Sequence, residues 1–203
     1  MKAVKRIVCS FLALVMVVGL TSCSQRTFEH MKMVRFCQKH DFSECKKPKD
    51  FFEFFTRAMG GDNDDDGAYI NCTGRHAQSI YDNHLKIMFN DMPDYDVEEV
   101  TAFAYKEDDT LFYGYLFTFE KEKDAGKIFK NYGKRFDDDC SEKDSGKGYE
   151  YWITTYDNYA DIPVYVGIYL RENTLIMFHC VSEDSAMADE FCKAYGIKSP
   201  SEI

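Results

Sequence analysis

The residues with the clearest potential for chemistry lie in an aspartate-rich segment. Asp62, Asp64 and Asp66 match positions 1, 3 and 5 of an EF-hand calcium loop, and Gly67 matches the glycine at position 6. A bidentate glutamate is expected at position 12, but Thr73 stands there. The pattern therefore predicts either a degenerate calcium site, completed by waters or backbone carbonyls, or a solvated acidic turn, since its residues are frequent turn formers.

A second group of candidate metal ligands combines cysteine and histidine. Cys37, His40 and Cys45 follow one another as C-x2-H-x4-C, and Cys72 offers a further thiolate. Zinc accepts such ligands in a tetrahedral site. The spacing does not match paired zinc knuckles, however, and Cys37 lies on the apolar face of a predicted helix. Disulfides among these cysteines explain the same residues more simply.

Nucleophilic catalysis has little support in the sequence. No G-x-S-x-G segment is present. His179 and Cys180 are neighbours in a predicted strand, where alternation directs their side chains to opposite faces. Carboxylates are abundant, but no spacing selects a pair suited to glycoside hydrolysis. The sequence therefore favours a protein that is not an enzyme.

The N-terminus has the organisation of an export signal. Lys2, Lys5 and Arg6 precede an apolar stretch over residues 7–20. That stretch is short for a transmembrane helix, which needs about 20 apolar residues. We therefore expect the chain to be exported.

The end of this signal, Leu-Thr-Ser followed by Cys23, resembles the lipobox of bacterial lipoproteins. The resemblance implies that residues 1–22 are removed and that the Cys23 thiol receives diacylglycerol. Residues 23–26 would then be a short tether on the extracytoplasmic face of the cell membrane. An ordinary secretory signal that is cut elsewhere remains the alternative.

The cysteine count bears on covalent stabilisation of the exported part. Apart from Cys9 and Cys23, six cysteines remain: Cys37, Cys45, Cys72, Cys140, Cys180 and Cys192. An even number in an exported domain predicts up to three disulfides, whose connectivity the sequence does not determine. Free buried thiols are the competing interpretation if the cell lives without oxygen.

Composition and charge narrow the class of protein. Hydrophobic residues make up 45% of the chain and aromatic residues 16%, which is ample for a folded core. Beyond residue 22, 22 basic residues stand against 35 acidic ones, so the exported part carries a formal net charge of −13. Such a surface repels phosphate backbones, which argues against nucleic-acid binding.

Hydrophobic periodicity predicts helices in the first part of the chain and mainly strands after it. Helices are expected over about 27–40, 48–60, 76–90 and 121–136, and again after Ser182. Strands are expected over 100–105, 111–119, 149–156, 164–170 and 174–181.

These elements predict one α+β domain over residues 27–203, with a helical part at 27–96 and a strand-rich part at 97–197. The order β-β-α-β-β-β-α favours an antiparallel sheet of about five strands with helices packed on one face.

The segment LFYGYLFTFEKEKDA at 111–125 and the segment RENTLI at 171–176 resemble small uncharacterised surface lipoproteins of Gram-positive, clostridial-type anaerobes. Those proteins pair a lipobox with a C-terminal α+β domain. The resemblance covers roughly residues 97–197, and residues 41–96 depart from it. Its motifs are structural, so it implies anchoring and fold but no catalytic residues.

Tyrosines on the predicted strands suggest a binding surface, because tyrosine offers large contact area and a polar tip. These residues are Tyr113, Tyr115, Tyr149, Tyr151, Tyr156, Tyr159, Tyr165 and Tyr169. A half-buried sheet face, on which aromatic side chains pack well, explains the same tyrosines equally.

The sequence thus predicts a membrane-anchored, non-enzymatic module whose exposed sheet face binds a protein, peptide or cell-wall ligand. The alternative is a metal-binding lipoprotein that uses calcium at Asp62, Asp64 and Asp66.

Overall fold

A computed structural model describes residues 26–60, 66–85, 93–135, 142–146 and 148–203 of the chain, which are organised around one sheet. Within these ranges the sheet has eight strands. They are β1 (Ser43–Glu44), β2 (Asp66–Thr73), β3 (Val97–Glu107), β4 (Thr110–Phe119), β5 (Glu142–Gly146), β6 (Tyr149–Asp157), β7 (Pro163–Arg171) and β8 (Thr174–Val181).

Five α-helices accompany the sheet in the described residues. They are α1 (His30–Lys39), α2 (Pro48–Gly60), α3 (Arg75–Ile80), α4 (Glu122–Arg135) and α5 (Ala186–Tyr195). A π-helical turn, Tyr81–Leu85, extends α3, and a 3-10 turn, Pro200–Glu202, follows α5. Among the described residues, every helix is too short or too polar to cross a membrane.

The strand order across the sheet is β1-β2-β3-β4-β8-β7-β6-β5. All neighbours are antiparallel except β1 and β2, which are parallel. The meander β2-β3-β4 and the meander β6-β7-β8 therefore form two halves, joined where β4 pairs with β8. The α+β class is confirmed.

Helices cover both faces of the sheet, so the prediction of helices on one face was wrong. Side chains of α1 and α5 pack on one face and form the first core, which includes Phe36, Phe103, Phe112 and Phe191. Side chains of α2, α3 and α4 pack on the other face and form the second core, which includes Phe117. The physical reason is that the central strands are apolar on both sides, as in sheets buried on both faces.

The strand count of five was also wrong, although all five predicted strands are present. The three strands that were not predicted, β1, β2 and β5, lack the aromatic and β-branched runs that are typical of strands. β2 has the sequence DGAYINCT and begins in the acidic segment, β5 has the sequence EKDSG, and β1 has two residues. Glycine, aspartate and asparagine are depleted in strands, so these segments favour loops by composition, whereas pairing with β3 and β6 makes them strands.

The middle of the sheet is tightly packed around Gly114 on β4. A Cβ atom at this position would lie 2.6 Å from Phe103 and 3.2 Å from Phe178, and both rings are buried in the first core. Phe103 is itself fixed edge-on against Phe112, with ring centroids 4.8 Å apart. The absent side chain therefore lets the aromatic rings close over the centre of the sheet.

We expect Gly114→Ala to destabilise the fold by about 1–3 kcal/mol, because the added methyl group overpacks a rigid aromatic cluster. Urea unfolding of the two proteins measures the change. Gly60→Ala, at the exposed end of α2 where nothing lies within 4 Å of the added atom, is the matched control and should change stability little. Equal effects of the two substitutions would contradict this account of the packing.

Candidate functional site

An open cleft of about 770 Å³ lies at the end of the sheet where β6 begins and β7 ends. Its walls come from three separate stretches of chain: the first half of α4, the turn between β5 and β6, and the turn between β7 and β8. The lining residues are Glu122, Lys123, Gly126, Lys127, Lys130, Ser145, Gly148, Tyr149, Glu150, Leu170, Arg171 and Glu172.

The amphipathic pattern of α4 supplies one wall. Its apolar residues Ala125, Ile128 and Phe129 are buried in the second core, which fixes the rotation of the helix. The opposite side then presents three lysines to the cleft, Lys123, Lys127 and Lys130. Gly126 lies among them with nothing within 4 Å of the place a Cβ would occupy, so the wall is open at that point.

Two tight turns supply the other walls. Glu172 has a φ of 51° in the two-residue turn between β7 and β8, and Gly148 has a φ of 82° just before β6. Both values lie in the left-handed region, which glycine adopts freely and other residues adopt mainly in turns. Arg171 at the end of β7 and Tyr149 at the start of the neighbouring strand β6 both line the cleft beside these turns.

Arg171 is the most unusual residue of the cleft. Its guanidinium carbon lies 4.4 Å from the centroid of the Phe28 ring and 5.6 Å from that of Tyr149, so the cation rests on two aromatic faces. Its Nε atom is buried and has no hydrogen-bond partner. Burial lowers the pKa of Arg171, whereas Tyr149 acts in the opposite direction. Within the described residues, no carboxylate forms an ion pair with this guanidinium.

The cationic and acidic side chains that line the cleft form no ion pairs with each other in the described part of the chain. The cleft holds four cationic side chains, Arg171 included, and three glutamates. Lys127 lies 3.9 Å from Asp124 and 5.5 Å from the ring centroid of Tyr95, so it is partly engaged outside the cleft. Lysine and arginine form charge-assisted hydrogen bonds with carboxylate or phosphate oxygens, and carboxylates form them with an ammonium group.

The predicted calcium ligands are only partly within the description. Asp62 and Asp64 lie outside the described residues. Asp66 is the first residue of β2, and its Oδ1 atom accepts the backbone N–H of Gly67 at 2.7 Å. Residues Asp66–Thr73 form an extended strand that pairs with β3, so they do not have the conformation of the second half of a calcium loop. The described residues contain no group of three or more possible ligands, and calcium here stays a prediction.

The five cysteines within the described residues are free thiols, and Cys140 lies outside them. Cys37, Cys180 and Cys192 belong to the first core, whereas Cys45 and Cys72 pack against the second. The sheet therefore separates Cys37 from the other candidate zinc ligands, Cys45 and Cys72. Burial raises the pKa of all five thiols, most strongly at Cys37, which makes them poor nucleophiles.

The strand tyrosines do not form an exposed binding face. Tyr115, Tyr149, Tyr151, Tyr165 and Tyr169 are buried beneath helices, and Tyr113 is half-buried against the second core. Only Tyr156 and Tyr159 are among the exposed ones, at 43% and 112% relative exposure. His179 stacks on Tyr113, while Cys180 lies in the first core, so the predicted alternation of these two neighbours is confirmed.

The cleft was not predicted from the sequence. Arg171 lies between two predicted strands, 164–170 and 174–181, and the lysines lie within the helix predicted over 121–136, and nothing in these assignments marks a site. A signal was nevertheless present, because Lys123, Lys127 and Lys130 recur at helical spacing on one side of α4 in a strongly acidic chain. Nothing in the sequence linked that stripe to Arg171, about 40 residues later.

His30 is a buried polar residue outside the cleft that the sequence analysis did not single out. It is buried where α1 meets the sheet, with Nδ1 2.8 Å from Thr101 Oγ1 and Nε2 2.8 Å from Thr118 Oγ1. Glu99 Oε1 lies 3.8 Å from Nδ1. Burial lowers the pKa of His30 to about 4. The neutral ring thus fastens α1 to β3 and β4.

Comparison with known proteins gives little similarity. No protein-family model matches the chain, and no curated protein matches it in sequence. Among solved structures, the extracellular domain of PknH from Mycobacterium tuberculosis is similar, with a TM-score of 0.42 and 6% sequence identity. The matched region covers 70% of this chain and 88% of that one. A likeness of this size carries no argument, so the function rests on the geometry of the cleft.

The buried histidine makes stability depend on pH. An unfolded histidine has a pKa of 6.5 and His30 one of about 4, so the unfolded chain binds the proton more readily between these values. The contribution of His30 to the free energy of unfolding is therefore fully present well above pH 6.5 and falls by about 3 kcal/mol as the pH drops to 4.

Chemical unfolding of the wild type and His30→Gln at several pH values isolates this effect, because the amide does not titrate. His179, whose pKa burial also lowers to about 4, and Glu99, whose pKa burial raises, are common to both proteins. We expect the advantage of the wild type to shrink between pH 7 and pH 4.5. A difference that does not change with pH would contradict the assignment.

Proposed function

We propose that the chain is a membrane-anchored extracytoplasmic lipoprotein and that its domain is a non-enzymatic binding module. The binding site in this proposal is the cleft between α4 and the two turns, and it takes an anionic group of the ligand. The observation that carries the proposal is Arg171, a partly desolvated cation that rests on Phe28 and Tyr149 without an acidic partner among the described residues.

Desolvation is the reason for giving Arg171 this role. A cation removed from water is costly unless an opposite charge or hydrogen-bond acceptors compensate it. Two aromatic faces supply part of that compensation here, and an oxyanion in the cleft would supply the rest. Arginine holds carboxylate and phosphate in a bidentate fashion, and lysines at the rim add attraction without fixing geometry.

The place of binding in this proposal is the cleft and not an exposed face of the sheet. Helices cover both faces of the sheet, so its tyrosines serve the two cores. The cleft instead offers charged groups on three separate supports, which is typical of sites that fix a ligand by a few placed polar groups. The anchor at Cys23 belongs to the same proposal and has its own test.

Binding of inorganic phosphate, as a simple oxyanion probe, tests the cleft. We expect phosphate to raise the melting temperature of the chain, and Arg171→Met to weaken phosphate affinity about tenfold, as loss of a charge-assisted hydrogen bond would. Thermal unfolding across a phosphate series gives the affinity. The matched control is Arg75→Met, an exposed arginine at the start of α3, which should leave affinity unchanged. Equal weakening by both variants would refute a specific role for Arg171.

The anchor is tested by Cys23→Ala. Without its thiol the chain cannot receive a diacylglycerol thioether, so we expect the variant to leave the membrane fraction and to lose labelling by a radioactive fatty acid. Cell fractionation followed by immunoblotting measures the distribution. Cys9→Ala is the control, because that cysteine lies within the predicted signal and should not affect anchoring. Continued membrane association of Cys23→Ala would argue against lipidation as the tether.

A further inference from the structure

We propose that Cys45 and Cys72 join in one disulfide in the exported protein, and that this bond fastens the border strand β1 and the helix α2 to the rest of the sheet. The inference does not depend on the cleft, which lies at the other border of the sheet, and it rests only on export of the chain. Three observations support it: the position of the two cysteines on neighbouring strands, their accessibility, and the segment that lies between them.

The two cysteines lie on neighbouring segments of the sheet and on the same face. Cys45 directly follows β1 and donates its backbone N–H to the carbonyl of Tyr69 on β2 at 2.7 Å. The parallel register pairs Glu44 with Tyr69, so Cys45 lies beside Ile70. Cys72 is two residues further along β2 than Ile70, and both cysteine side chains pack against the second core. The two thiols are therefore diagonal neighbours.

The spacing of a sheet determines how far apart these residues are. Neighbouring strands lie about 4.8 Å apart and a strand rises about 3.3 Å per residue, so a diagonal offset of two residues gives a Cα–Cα separation of about 8 Å. A disulfide needs roughly 4.4–6.8 Å between its Cα atoms. The bond thus requires a backbone shift of about 1–2 Å. β1 is the element that can move, because it has only two residues and lies at the border of the sheet.

Accessibility separates this pair from the other thiols in the described part of the chain. Cys37 and Cys180 are 0% exposed and Cys192 is 1% exposed, all within the first core. Cys45 and Cys72 are only half-buried, so an oxidant can reach them. The sheet lies between the two groups and prevents a bond from one group to the other in the folded chain.

The bond forms by thiol–disulfide exchange. A Cys45 thiolate attacks a disulfide of the oxidant and releases one thiol, which leaves a mixed disulfide on Cys45. The Cys72 thiolate then attacks the Cys45 sulfur and releases the second thiol. The two cysteines lose two electrons and two protons, and the disulfide of the oxidant gains them. Outside the cytoplasm, an oxidising thiol–disulfide exchange protein is the class of oxidant that this step uses.

The segment between the two cysteines contains the whole of α2. Phe51 and Phe55 of this helix are buried in the second core, on the face where both thiols lie. A bond that closes the loop over residues 45–72 restricts the unfolded chain and so stabilises the folded state. It also joins β1 covalently to β2, its neighbour in the sheet. Both effects hold α2 on the second core.

Peptide mapping of the detergent-solubilised full chain tests the pairing. The reduced chain is treated with oxidised glutathione at pH 9, because burial raises the pKa of Cys72 to about 11 and also raises that of Cys45. Free thiols are then alkylated and the chain is digested. We expect a reduction-sensitive peptide pair that joins Cys45 to Cys72, which Cys140→Ser retains and Cys45→Ser lacks. A pair that joins either residue to another cysteine, or no pair at all, would overturn the proposal.

The same mapping of protein extracted from cells, with the thiols trapped by acid, tests whether the bond exists after export. We expect the linked pair in the exported chain. The control is a chain that lacks residues 2–22 and so stays in the cytoplasm, where thiols are kept reduced. Free Cys45 and Cys72 in the exported chain would overturn the proposal.

Thermal unfolding of the oxidised and the reduced full chain tests the role of the bond. We expect the oxidised form to melt about 5–10 °C higher, because the bond closes a long loop. Cys72→Ser should have the same melting temperature under both conditions. A linked chain that melts no higher than the reduced one would refute the claim that the bond fastens α2.

Discussion

The pairing of β4 with β8 is the constraint on which the rest of the structure depends. This ladder runs from Leu111 opposite Val181 to Thr118 opposite Thr174, and it is the place where the two meanders become one sheet. Its side chains enter both cores, Phe112 the first and Phe117 the second. Because both faces of this ladder are apolar, both must be covered, and the helices of each half are distributed accordingly.

The cleft follows from this arrangement. Once α4 lies across the second face, its polar side meets the turns that end β5 and β7, and the charged residues of three distant segments converge. The N-terminal segment lies next to Arg171, because Phe28 donates its backbone N–H to Thr174 at the start of β8 and its ring contacts the guanidinium. The site is thus built at the same end of the sheet as the β7–β8 turn, and the core packing that fixes α4 also fixes the positions of its lysines.

Much of the fold could be predicted from local pattern, and the site could not. The five predicted strands are recognisable by their runs of aromatic and β-branched residues. The sequence of β4 is apolar at nearly every position, which is typical of a strand buried on both faces. β2 was missed because Asp66, Gly67 and Asn71 favour a loop locally and become a strand only by pairing with β3. The surroundings of Arg171 come from Phe28 and Tyr149, which lie far from it in the chain, and no local sequence pattern encodes these contacts.

The two outer strands of the sheet affect whether two copies of the chain can pair edge to edge. β1 offers only two residues, and β5 presents Glu142, Lys143 and Asp144 along its length. Short or charged borders resist the addition of a foreign strand. An open apolar border would let one molecule extend its sheet with a strand of another and so seed polymerisation. The short and charged borders of this sheet therefore disfavour edge-to-edge association between copies of the chain.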